Sequence, residues 1–234
     1  GRRATITAET TVGEIVRARP AQSRVFEGLG IDYCCGGKRS LAEACRARGL
    51  DPAAVLAMLA APHGAPGLEP ADPTAMTLSE LCDHIATVHH GYLSEELPRL
   101  DFMTRKVAAV HGDREPRLRE VRRVFEAFYT LITSHTREED QDVFPAIRAL
   151  GSASAGRAAA RAIAASLARM QSEHDAAGAA LSRLETLTDH HTPPEWACNT
   201  FRALYDSLAR LQRDMRGHVH KENDVLFPRV LSMG

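Results

Sequence analysis

The sequence predicts an all-α protein: a small helical N-terminal domain followed by an antiparallel four-helix bundle. Strong helix formers (Ala, Leu, Arg and Glu) dominate the chain, and runs of alternating β-branched residues are almost absent. Residues 62–75 hold Pro62, Gly64, Pro66, Gly67, Pro70 and Pro73, a density of breakers that no packed element tolerates, so they read as a linker. Beyond it lie four long helical stretches with short connections, the pattern of up-down-up-down packing.

The elements follow in order. Residues 1–61 form the small domain, with short helices flanking a break at Gly28, Gly30 and residues 32–40. Ser40 is suited to cap a helix starting at Leu41, and Gly49 to stop it. Residues 76–234 form the bundle. Its first helix opens at Thr77, with Glu80 completing a capping box, and runs to Val110 across a possible kink at Pro98. The second runs from Pro116 to Leu150, and the small, polar residues 151–156 make a turn. The third runs from Arg157 to Leu187. Thr192-Pro193-Pro194 then breaks the chain, and Pro194 is placed in the first turn of a fourth helix ending near Leu231.

Bulk composition narrows the function. A net charge of -1 with 25% charged residues lacks the basic excess of a nucleic-acid binder. No apolar run approaches the ~20 residues that span a bilayer, and the first residues lack the apolar core of a secretion signal. The expected location is the cytoplasm, without membrane attachment. Five cysteines, an odd number without a C-x-x-C pair, argue against a disulfide framework or a cysteine zinc site. Eleven histidines are many for this length and point toward metal chemistry.

An internal repeat carries that chemistry. His135, Glu139, Phe144 and Pro145 read H-x-x-x-E-x-x-x-x-F-P, and His218, Glu222, Phe227 and Pro228 read the same. If the second and fourth helices carry equivalent sites, the first and third should offer equivalent partners. His90 lies 45 residues before His135, and His174 lies 44 before His218. Residues i and i+4 sit one above the other on a helix, so each His/Glu pair points one way. A single such pair is usually a solvated hydrogen-bonded pair, but two in matched register with matched upstream histidines favour metal ligation. Neutral nitrogen with anionic oxygen suits iron, manganese or zinc. Two histidines per metal with both glutamates bridging leave octahedral iron room for an oxo or hydroxo bridge and a small diatomic ligand.

His89 competes with His90 for the ligand position, and the repeat register favours His90. His220 lies two residues from His218 and faces away. His84, His111, His190 and His191 read as surface or core residues. Glu173, just before His174, reads either as a surface carboxylate or as a residue supporting the site. The Phe-Pro pairs read as packing and bending elements. Cys45, Cys82 and Cys198 read as buried helix residues. Cys34 and Cys35, in Asp32-Tyr33-Cys34-Cys35-Gly36-Gly37, are redox candidates, because Lys38 and Arg39 nearby would lower a thiol pKa; an inert buried turn is the alternative.

These motifs resemble the RIC (repair of iron centres) di-iron family. The double-cysteine loop at 32–37 looks like that family's N-terminal domain. His90, His135 with Glu139, Ser172-Glu173-His174-Asp175, and His218 with Glu222 before Val225-Leu226-Phe227-Pro228-Arg229 are similar to its hemerythrin-like bundle. The resemblance spans residues 10–231. It implies repair of iron–sulfur clusters damaged by nitric oxide or peroxide, two non-haem irons bridged by Glu139 and Glu222, and a cytoplasmic homodimer. Damaged or apo iron–sulfur proteins are the implied partners. The competing expectation is a binder, scavenger or reductase of a diatomic gas, nitric oxide or oxygen.

Overall fold

The computed structural model describes residues 5–19, 22–33, 37–61, 72–150 and 156–233; for Ser23 and residues 156–158 and 160 it describes the backbone alone. The redox candidates Cys34 and Cys35, most of the expected linker and the 151–155 turn lie outside the described residues. Among the described residues no strand forms, and Thr11 and Ser40 make an isolated antiparallel bridge. The all-α expectation holds.

The chain divides into two compact units. The first comprises the described residues up to 61 together with His191–Ser207. Its helices are α1 (Val12–Ala18), α2 (Ser23–Gly28), α3 (Leu41–Arg46) and α4 (Pro52–Ala60). Thr11 with Glu14 and Ser40 with Glu43 form capping boxes, and Asp51 caps α4 ahead of Pro52. Gly49, three residues beyond α3, takes the left-handed conformation at φ +66° that a side chain would resist. Val12, Ile15, Phe26, Leu41, Cys45 and Leu59 are the heart of this unit's core.

Both ends of the double-cysteine loop are pinned within this unit. The Tyr33 hydroxyl bonds to Glu27 at 2.7 Å, and Asn199 Nδ2 donates to the Tyr33 carbonyl at 2.9 Å. The Gly13 amide donates to the Gly37 carbonyl at 2.9 Å. A Cβ on Gly13 would lie 2.8 Å from that oxygen, closer than real contacts allow.

The second unit holds residues 72–190 and 208–233. Its first helix is α5 (Leu78–His84), a π segment (Ile85–His90) and α6 (Gly91–His111). Thr77 and Glu80 form the expected capping box, and α6 passes through Pro98. The second is α7 (Arg117–Glu138), a π segment (Glu139–Val143) and α8 (Phe144–Leu150). The third is α9 (Gly156–Leu187). The fourth is α10 (Asn199–His220), a π segment (Lys221–Leu226) and α11 (Phe227–Leu231), the first nine residues of α10 belonging to the other unit. α7 packs between α6 and α9.

Two sequence expectations need correction. The fourth helix begins at Asn199 rather than Pro194. Arg202 reaches back to the carbonyls of Pro194, Glu195 and Ala197, and so satisfies residues 194–198 outside a helix. Cys198 is half-buried, whereas Cys45 and Cys82 are buried. The expected helices over 77–110, 116–150 and up to 231 do form, and each includes a π segment, which holds His90, Glu139 and Glu222 respectively.

Gly13→Ala in the full chain should cost about 1–3 kcal/mol in chemical denaturation, because the added methyl has no room beside the Gly37 carbonyl. An unchanged midpoint would contradict the close approach. Burial pushes the Cys82 thiol up to about 12, so native protein should not be alkylated there at neutral pH, as peptide mapping would show.

Candidate metal centre

Each long helix presents its site residue between two buried apolar runs. One run, including Leu81, Ile147, Leu167, Met170, Leu226 and Val230, forms a single cluster. The other includes Leu100, Phe125, Phe128, Leu184 and Leu211. The π segments shape the boundary. The Phe144 amide bonds to the Glu139 carbonyl, and the Phe227 amide to the Glu222 carbonyl, each five residues back. Pro145 and Pro228, which have no amide hydrogen, follow directly, and the wider turn accommodates the missing bond.

The six repeat residues meet. His90, Glu139, His218 and Glu222 form one group, and His135, Glu139, His174 and Glu222 form another; within each group the ligand atoms lie within 4.8 Å of one another. Glu139 divides its oxygens, Oε1 at 3.2 Å from His135 Nε2 and Oε2 at 3.3 Å from His90 Nε2. Glu222 does likewise, Oε1 at 3.0 Å from His218 Nε2 and Oε2 at 2.9 Å from His174 Nε2. The paired imidazoles approach through Nε2 at 3.2 Å (His90 and His218) and 2.9 Å (His135 and His174). Two imidazoles bound at about 2.1 Å with a right angle at a metal would stand about 3 Å apart.

The donors fit a cation better than they fit one another. Both glutamates have no exposed surface, and His90, at 7%, is the most exposed of the six. Both Glu139 oxygens and Oε2 of Glu222 accept no hydrogen bond from any described residue despite their burial. Buried polar atoms without partners are costly, and a cation would satisfy all of them.

The rest of the chain agrees with this reading. Residues 83–230 match the family model described as Hemerythrin HHE cation binding domain, and residues 8–63 match one described as Domain of Unknown function (DUF542). The iron-sulfur cluster repair protein YtfE of Yersinia pseudotuberculosis serotype O:1b (strain IP 31758) is 36% identical over 94% of this chain and 96% of that protein. The protein of that name from Yersinia pestis (strain Pestoides F) is 35% identical over the same shares. The chain belongs to the RIC family.

Within that family frame, residues beyond the six ligand candidates hold the imidazoles. His135 Nδ1 lies 2.7 Å from Glu173 Oε2, His90 Nδ1 2.8 Å from Asp140 Oδ1, and His174 Nδ1 2.9 Å from Asn223 Oδ1. Glu173 thus lies against His135, with its side chain 26% exposed. Phe144 lies flat against His90 at 5.5 Å between centroids, and Phe227 against His174 at 6.0 Å. Asp140 and Asn223 escaped the sequence reading, although the repeat carried the signal: each directly follows a repeat glutamate.

His89 faces away from the centre. Its Nδ1 is 2.9 Å from Asp214, Lys221 Nζ stands 3.0 Å from its Nε2, and its ring stacks on His218. His220 is exposed and bonds to Asp224. His84, His111, His190 and His191 belong to neither ligand group.

The charges couple metal uptake to protons. Burial opposes a charge on His135, but Glu139, Glu173 and Glu222 outweigh it and push the imidazole up to about 9. Burial also opposes His90, and Glu139 and Asp140 raise it nonetheless. Burial would raise the Glu222 carboxyl, yet His218 and His174 hold it well below the carboxylate range. His135 therefore carries a proton at neutral pH that a metal must displace. Apparent metal affinity should rise about tenfold per pH unit through His135 alone, levelling off near pH 9. Competition titrations with a metal indicator from pH 7 to 8 check this, and a flat profile would sink it.

Proposed function

We propose that the chain binds two non-haem iron ions, oxo- or hydroxo-bridged, and releases iron to rebuild iron–sulfur clusters damaged by nitrosative or oxidative stress. The divided oxygens of Glu139 and Glu222, each aimed at two imidazoles, carry this reading. His90 and His218 would hold one ion and His135 and His174 the other, with both carboxylates spanning the pair. Iron in this donor set supplies redox chemistry and an open position for a small ligand. The chain's own part is to orient four imidazoles, set two anionic charges between them and exclude water. The names of the relatives support damaged or apo iron–sulfur proteins as the recipients. The family resemblance supports a cytoplasmic homodimer, and no described helix is long and apolar enough to cross a membrane.

A second reading, capture or reduction of a diatomic gas, draws on a cavity of about 310 Å³ that reaches His174, its wall made by Ala177, Gly178, Leu181, Met215 and Val219 and also by Arg216, His220, Asn223 and Asp224. The apolar part of that wall offers nitric oxide or oxygen a path toward His174. Iron-nitrosyl spectra, with nitrous oxide formed on turnover, would favour it.

Incubating iron-loaded protein with an apo iron–sulfur protein should restore the cluster absorbance. Glu139→Ala and Glu222→Ala should each lower metal affinity by more than about tenfold and abolish that transfer. Full iron content in both variants, or no cluster rebuilt by loaded wild-type protein, would overturn the proposal.

A further inference from the structure

We infer that the two metal positions are unequal and that the one between His90 and His218 gives up its ion first. The inference rests on the proposed pair of metal ions and adds which position supplies the iron. It starts from a break in the molecule's pseudo-two-fold. The repeat is kept in the ligands, in the Phe144 and Phe227 rings stacked on His90 and His174, and in the supporting side chains that follow the glutamates, Asp140 and Asn223. It fails at the residue preceding the upstream histidine. On α9 that residue is Glu173, which accepts from His135 Nδ1 at 2.7 Å. On the first helix it is His89, which offers His218 no acceptor: its Nδ1 is spent on Asp214, its Nε2 faces Lys221, and its ring lies flat on His218 at 5.1 Å and 5°.

The consequence falls on His218. Its Nδ1 is buried and has no hydrogen-bond partner among the described residues. Without metal, its Nε2 can donate to Glu222 Oε1 at 3.0 Å. A metal held at Nε2 would require the ring hydrogen on Nδ1, where no described residue accepts it. His135 makes no such sacrifice, because its Nδ1 hydrogen already faces Glu173. A ligand imidazole whose second nitrogen is anchored binds about 10–100-fold more tightly than one whose support is removed. At the His135/His174 position both rings are anchored. At the His90/His218 position only His90 is, and its support, Asp140, has a side chain 45% exposed against 26% for Glu173, so water competes for it more. Glu173 and His89 are positioning residues: they set the grip without touching the ion.

The test follows metal retained per chain. The iron-loaded full-length protein is mixed with excess chelator, and iron in the filtered protein is measured against time. Wild type should release two equivalents in separate phases. His89→Gln, or His89→Glu, places an acceptor beside His218 and should slow the fast phase about tenfold or more. Glu173→Ala should speed the slow phase by a similar factor, and Glu173→Gln, which keeps an acceptor, should restore most of the loss. Helical circular dichroism confirms that each variant is folded, and the paired substitutions at each position provide a second reading if one fails. Two equivalents leaving in a single phase, or a fast phase unmoved by both His89 variants, would overturn the inference and leave the proposed function standing. Failure of wild type to bind two equivalents would overturn both.

Discussion

Two carboxylates without exposed surface, Glu139 and Glu222, lie at the centre of the bundle, and the surrounding structure answers their charge. An ionised carboxylate in a core is very costly unless an opposite charge or a set of donors meets it. Here the answer is four imidazole nitrogens, one from each long helix, at 2.9 to 3.3 Å. Because each glutamate must serve two histidines from different helices, the carboxylates tie the bundle into one register. Yet three of the four oxygens accept no hydrogen bond from the described residues, which leave the charge incompletely matched. A site of this kind holds its geometry in wait for a cation.

The π segments show how the helices reach that geometry. A regular α-helix closes its bonds four residues back; here the amides of Phe144 and Phe227 reach five back, to the carbonyls of the two glutamates. The following proline tolerates the wider turn because it has no hydrogen to place. The same phenylalanines then lie against His90 and His174. One short motif thus supplies a buried imidazole, a carboxylate set between two histidines and an apolar backing for a histidine on another helix.

A duplicated motif need not produce equal halves. The six clustered histidines and glutamates are repeated faithfully, but the residues behind them are not: Asp140 answers to Asn223, and His89 to Glu173. Side chains that never touch the ion are free to differ without disassembling the site, and through hydrogen bonds to the outer imidazole nitrogens they still govern how firmly each ring is held.

Much of this was legible in the sequence because it is local. Helix formers, the Thr77–Glu80 and Ser40 caps, and the spacing of His135 with Glu139 and of His218 with Glu222 each depend on neighbours within one turn of chain. The repeat register carried the reading across helices to His90 and His174. Tertiary packing alone decided the rest. It turned Glu173 toward His135, 38 positions away, and His89 toward Asp214 and Lys221, 125 and 132 positions away. It let Arg202 cap the Pro194 segment and so delayed the fourth helix to Asn199. Sequence spacing specifies which face of a helix a side chain occupies, but a hydrogen bond between helices also depends on rotation and depth, which are settled only when all four pack together.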